Sequence, residues 1–213
     1  MNRVFVMLTR LSVAATIVLG VAYAHQPKFP DEGVTVVTDP DVSQAFYGEF
    51  AGEPALYRIE VPDSLLLYVA VLVPNMPMVA KDVSAEVFVE TDSVPETVAV
   101  LDAAASTWQP FHEPFANDDY FQGPEARTRV GPGDYMVRVT RPGNQGKYVL
   151  AIGERESFPP RVIARVIGDM PRLKRYFGKS PWTAYFNRSG LFLGTVAAAV
   201  AGVVTLVVLL ARR

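Results

Sequence analysis

The sequence predicts an all-β fold, an antiparallel β-sandwich or jelly roll, followed by a juxtamembrane helical segment and one C-terminal transmembrane helix. Three observations predict it. Short apolar or alternating runs recur between Pro, Gly and Asn from Gly33 to Phe158. No long amphipathic helix interrupts them. Gly190 to Ala211 holds no charge and is long enough to cross a bilayer, which takes about 20 residues.

The elements follow in order. "MNRVFVMLTRLSVAATIVLGVAYA" has Arg3 and Arg10 as a positive leader, an apolar run from Leu11 to Val21, and the small-x-small pattern Ala22-Tyr23-Ala24. Residues 1–24 read as a signal peptide cut after Ala24. The alternative is a retained signal anchor, since the run with its flanks approaches spanning length. Residues 25–158 are the extracytoplasmic β-sandwich domain, 159–188 a basic amphipathic juxtamembrane segment, 189–211 the transmembrane helix and 212–213 a cytoplasmic tail. Arg212 and Arg213 put that end inside by the positive-inside rule, and Trp182, Tyr185 and Phe186 suit the outer interface. The expected place is the plasma membrane, single-pass, with the domain outside the cytoplasm.

Within the domain the strands read as "VTVVT", "AFYGEF", "ALYRIEVP", "SLLLYVAVLVP", "AEVFVE", "ETVAVLD", "GDYMVRVT" and "GKYVLAIG". "ALYRIEVP" alternates Leu56, Ile59 and Val61 with charged neighbours, Tyr57 being a partial exception. "SLLLYVAVLVP" is nearly all apolar, which marks a central strand, and "RPGNQG" is a turn. Two stretches, "GEPALYRIEVPDSLLLYVAVLVP" and "GPGDYMVRVTRPGNQGKYVLAIG", resemble the bacterial pre-peptidase C-terminal domain. Tyr57, Ile59 and Val61 match its first strand, Tyr135, Val137 and Val139 the second, Tyr148 and Leu150 the third. The resemblance covers most of residues 44–153 and departs from the family around Trp108 to Gln122. It implies a jelly-roll module that binds or stabilises rather than catalyses, and it transfers no functional residue.

Composition limits the chemistry. There is no cysteine, so disulfides, thiolate metal sites and cysteine nucleophiles are excluded. The net charge is −2, which leaves no basic footprint for nucleic acid. No G-x-S-x-G elbow, Walker A motif or G-x-G-x-x-G loop is present. An enzyme therefore ranks third among the functions, behind a binding or scaffolding module and a copper-binding protein.

"STWQPFHEPFANDDYFQGPE" is the one aromatic and acidic concentration. As a recognition loop it would use Trp108, Phe111, Phe115 and Tyr120 as anchors. The alternative is an Ω-like loop whose aromatics cover the sandwich edge. Asn117, Asp118 and Asp119 are oxygen donors for calcium, but without EF-hand spacing. After cleavage His25 would offer a free amine and a ring nitrogen, and His112 a second ring, the three-nitrogen set that copper prefers. The alternative is that His25 merely follows the cut.

Two features concern the membrane. Val162, Ile163, Val166, Ile167 and Met170 fall at helical spacing among Arg161, Arg165, Arg172, Lys174, Arg175 and Lys179, with Pro171 breaking the pattern. Such a segment lies on anionic lipid headgroups, or packs on the sandwich or a partner. Gly190, Gly194, Ala198 and Gly202 recur every four residues, so that a membrane-protein partner or a second copy of the chain could pack closely against the helix. The alternative is the ordinary Gly and Ala content of membrane helices.

Overall fold

The continuous apolar run is strand β5, Leu65–Pro74. Leu67, Val69, Val71 and Val73 face one hydrophobic core, and Tyr68, Ala70 and Leu72 face another. A strand covered on both sides has no solvent row to fill with polar residues, so its sequence does not alternate. The computed structural model describes residues 25–89, 94–113 and 116–186, with Gly190, Gly194, Thr195, Gly202, Thr205 and Leu209 beyond them. The proposed signal peptide, Phe115, Ala198, the tail and most of the proposed span lie outside the described residues. Among the described residues no helix is long and apolar enough to cross a membrane.

Three layers stack. A six-stranded sheet runs, edge to edge, β1 (Gln26–Lys28), β3 (Gln44–Ala51), β11 (Gln145–Ile152), β5, β9 (Asp118–Val130) and β8 (Gln109–Glu113). A five-stranded sheet runs β2 (Val34–Val37), β4 (Ala55–Val61), β10 (Gly133–Thr140), β6 (Ser84–Val89) and β7 (Glu96–Leu101). The helix α1, Pro160–Tyr176, covers the outer face of the six-stranded sheet. In β4, Tyr57, Ile59 and Val61 point inward and Arg58 and Glu60 outward, so Tyr57 and not the half-buried Leu56 belongs to the inward row, which corrects the reading of that strand.

The sheets are mixed, which corrects the antiparallel expectation. β1 pairs parallel with β3, and β2 parallel with β4. The segment from Gln26 to Val37 crosses from the edge of one sheet to the edge of the other, turning at Gly33 (φ 77). Pro27 sits on an edge strand, where a missing N–H is tolerated. Gln26 also ties the domain together. Its amide donates to the Ser157 carbonyl at 2.5 Å, and its oxygen accepts from Arg165 at 3.1 Å.

α1 starts at Pro160, a residue pre-set for the first helical turn. It continues through Pro171, where the sequence predicts a break. Proline lacks the N–H that would bond the Ile167 carbonyl. The Tyr185 hydroxyl donates to that carbonyl instead, at 3.3 Å, from the 3-10 turn Pro181–Tyr185. The packing of Met170, Leu173 and Tyr176 on the sheet holds the helix together across the proline. It ends where Gly178 (φ 67) donates to the Arg175 carbonyl and Lys179 to the Lys174 carbonyl, a Schellman arrangement. A Cβ on Gly190 would run into the Tyr185 backbone, so local chain geometry alone requires that glycine. At Gly194 and Gly202 a Cβ meets nothing within 4 Å.

Candidate functional site

The aromatic stretch forms a hairpin, β8 and β9, rather than a loop, and this corrects the recognition-loop reading. Tyr120 is only 3% exposed; its hydroxyl bonds that of Tyr47 at 2.9 Å, and its ring meets Phe177 edge-on at 5.1 Å. Phe111 packs beside it under α1. Trp108 lies over Gly123 and donates to the Ala103 carbonyl at 3.3 Å. These three rings cover the inside of the fold and are not free anchors.

The hairpin tip holds the helix. Asp118, fully buried, accepts from Lys174 and from Lys179, each at 2.7 Å. Lys174 also donates to the Ala116 carbonyl, and Lys179 to that of Asn117 at 3.0 Å. Desolvation holds the Lys174 ammonium below its ordinary pKa, against the pull of Asp118. Asp118 is thus committed to two lysines and is not a calcium ligand. The basic segment is docked on the sandwich, with two of its cations turned inward.

The two histidines are not brought together. His25 precedes β1, at one edge of the six-stranded sheet, and His112 lies on β8, at the other, with four strands between. Phe111 and Glu113 line the same cavity as His25, and strand alternation turns His112 to the opposite face. His25 Nδ1 lies 2.5 Å from Ser43 Oγ, and burial pushes its pKa down. His112 Nδ1 is 2.7 Å from Asp119 Oδ1, on the surface. Among the described residues no group of three His, Cys, Asp or Glu is placed to hold a metal. The shared copper site is therefore not built. The cavity adjoining the His25–Ser43 pair is about 30 Å³, room for a few waters at most.

The spacious concavity lies elsewhere, at one mouth of the sandwich. It is an open groove of about 710 Å³ between the β1–β2 connection, the β3–β4 turn and the C-terminal half of α1. Acidic side chains come from the connections and β3: Asp31, Glu32, Glu49 and Glu53. Basic ones come from β11 and α1: Lys147, Arg172 and Arg175. The groove's tyrosines are bonded from within. Tyr57 and Tyr148 share a hydroxyl hydrogen bond of 2.8 Å, and Tyr176 donates to the Gly48 and Tyr148 carbonyls at 2.9 and 2.6 Å. Burial pushes the Tyr148 phenol up to about 12, so it stays neutral. The Arg172 guanidinium stacks 3.8 Å from the Phe29 ring centre. Such a groove suits an elongated ligand carrying charges of both signs. Sequence reading missed it because its acidic residues are scattered over the turns "PDEG" and "AGEP" and the strand "AFYGEF", which only the fold brings together.

No family model matches the chain. No curated protein matches it either. Among solved structures it is similar to the pre-peptidase C-terminal domain of a collagenase from Bacillus anthracis, 14% identical over 57% of this chain and 95% of that one, with a TM-score of 0.37. CorA, a surface-associated copper-binding protein of Methylomicrobium album BG8, is 7% identical over 62% of this chain and 100% of its own, with a TM-score of 0.29. A β-glucosidase from Paenibacillus barengoltzii is 10% identical over 62% of this chain and 13% of its own, with a TM-score of 0.27.

Proposed function

We propose that the chain is a membrane-anchored extracytoplasmic module that binds or scaffolds another membrane or envelope protein. A partner segment enters the groove at the sandwich mouth. The observation that carries this reading is the groove itself: an open, two-signed channel of about 710 Å³ whose tyrosine hydroxyls already have internal partners. A ligand there meets exposed carboxylates and guanidinium groups over a lining whose tyrosines are internally hydrogen-bonded. The anchor reading rests on the charge-free stretch from Gly190 to Ala211 and on the exposure of Trp182 and Phe186 just before it. The absence of a catalytic motif from the sequence supports binding over catalysis.

The test is crosslinking in intact cells of the source. A photoreactive residue in place of Glu53, on the groove rim, should capture one discrete protein species. The same residue in place of Glu96, on the far edge strand β7, should not. Reversing charge with Glu49→Lys and Asp31→Lys should abolish capture from position 53. Equal capture from both positions, or capture indifferent to the reversal, refutes the reading.

A further inference from the structure

The apolar face of α1 is spent on the sheet, through Val166, Met170, Leu173 and Tyr176. Its solvent-exposed side carries a line of arginines, on the flank next to β1 and the β1–β2 connection. Arg161, Arg165, Arg172 and Arg175 are spaced by four, seven and three residues, which places them along one side of a helix, and all four are exposed. Gly168 stands in the same line. Asp169, the acidic residue of α1, sits on the flank and is half-buried. Arg161 and Arg175 have no side-chain partner among the described residues, whereas Arg165 is bonded to Gln26, Arg172 is stacked on Phe29, and Arg172 and Arg175 also border the groove.

The 3-10 turn Pro181–Tyr185 packs on α1. The Tyr185–Ile167 hydrogen bond folds the 3-10 turn back against the middle of α1. Trp182, 78% exposed, and Phe186, 84% exposed, stand there, immediately before the charge-free stretch. Positive charge and interfacial aromatics thus both stand on the helix side of the six-stranded sheet, and the charge-free stretch follows in the sequence.

We propose that the arginine face of α1 is a docking surface for an anionic bilayer. It holds the domain against the leaflet from which it emerges, with the six-stranded sheet towards the lipid and the five-stranded sheet away from it. This rests on the membrane-anchored reading above and adds to it a fixed orientation. It also differs from an ordinary amphipathic helix. α1 inserts no apolar side chain, so the contact is electrostatic, sensitive to headgroup charge and to salt.

The chain has no cysteine, so one label is unique. A Cβ at Gly168 meets nothing within 4 Å, so Gly168→Cys accepts a fluorophore in the middle of the arginine line. The full chain is placed in lipid nanodiscs, either zwitterionic or containing anionic phosphatidylglycerol, and neutral acrylamide reports accessibility. At roughly fivefold in the docking equilibrium per arginine near the surface, the label should be several-fold better shielded in the anionic discs. Salt at about 0.5 M should reverse this, because it shortens the screening length to a few ångströms. Arg161→Glu reverses one charge and should weaken docking about 25-fold at the same rate per charge. That variant puts an acid in the first helical turn, which favours the helix, so lost shielding cannot come from a melted helix. A label at Val100→Cys, on the five-stranded sheet, should be indifferent to lipid. A chain that never enters the discs overturns the anchor and the docking together. A chain that enters but shows equal accessibility in both lipids overturns the docking alone and leaves the arginine face to an acidic protein.

Discussion

Asp118 and Lys174 form an ion pair of 2.7 Å in which both side chains are almost completely buried, joining the tip of the β8–β9 hairpin to the helix laid over the sheet. Removing one partner strands the other charge. Asp118→Asn should therefore destabilise the chain by about 3–5 kcal/mol, as breaking a buried pair does. Adding Lys174→Met should recover much of the loss, since Lys179 is partly exposed and can turn to water. Chemical denaturation of the single and double variants checks this. Equal stability of Asp118→Asn and the double variant would show that the lysine is not stranded.

Gly123 makes room for Trp108. A Cβ there would lie 2.5 Å from the indole ring. Gly123→Ala should push the indole towards solvent. In a Trp182→Phe background, where Trp108 is the only tryptophan, emission should shift to the red and quenching should increase. An unmoved spectrum would mean that β9 gives way instead.

His25 should make stability depend on pH. Its folded pKa is lowered by burial from an ordinary value of 6.5. The unfolded chain then binds the proton more readily, so stability is full above pH 6.5 and falls as pH drops below it, until the folded group also protonates. Melting curves between about pH 5 and 7.5 should show this slope, centred below the ordinary histidine value. His25→Gln should remove it. An unchanged slope in the variant assigns it to another group.

Pro171 and Tyr185 should be coupled. Tyr185→Phe removes the donor to the Ile167 carbonyl and should cost about 0.5–1.5 kcal/mol. In a Pro171→Ala background the helix supplies its own N–H to that carbonyl, so the same change should cost almost nothing. A double-mutant cycle by denaturation measures the difference. Additive effects would show that the hydroxyl does not stand in for the missing proline N–H.

Eight strands were legible because each shows a period of two or an apolar run between turn residues. β1 was not, because three residues containing a proline carry no period. β9 was hidden by a bulge: Ala70 pairs with Glu125 but Leu72 with Gln122, so Gly123 and Pro124 stand opposite Val71 and interrupt the alternation. α1 was legible up to Pro171, and its continuation depends on Tyr185, a partner far along the chain. The groove was not legible, because it is assembled from separate segments. The partners of Asp118 were hidden for the same reason: a buried carboxylate and an exposed one look alike until the lysine that faces it is placed.

The Gln26 bridge to Ser157 and Arg165 has a mechanical consequence. The strand that opens the described domain and the helix that follows its last strand are clasped at one point, so the domain is a closed loop of chain with entry and exit side by side. A pull between Gln26 and α1 is then resisted first at this clasp and at the short parallel pairing of β1 with β3, and the long antiparallel ladders are loaded only after those give way. The sandwich and its groove would keep their shape under tension along the chain, and the clasp would be the part that yields.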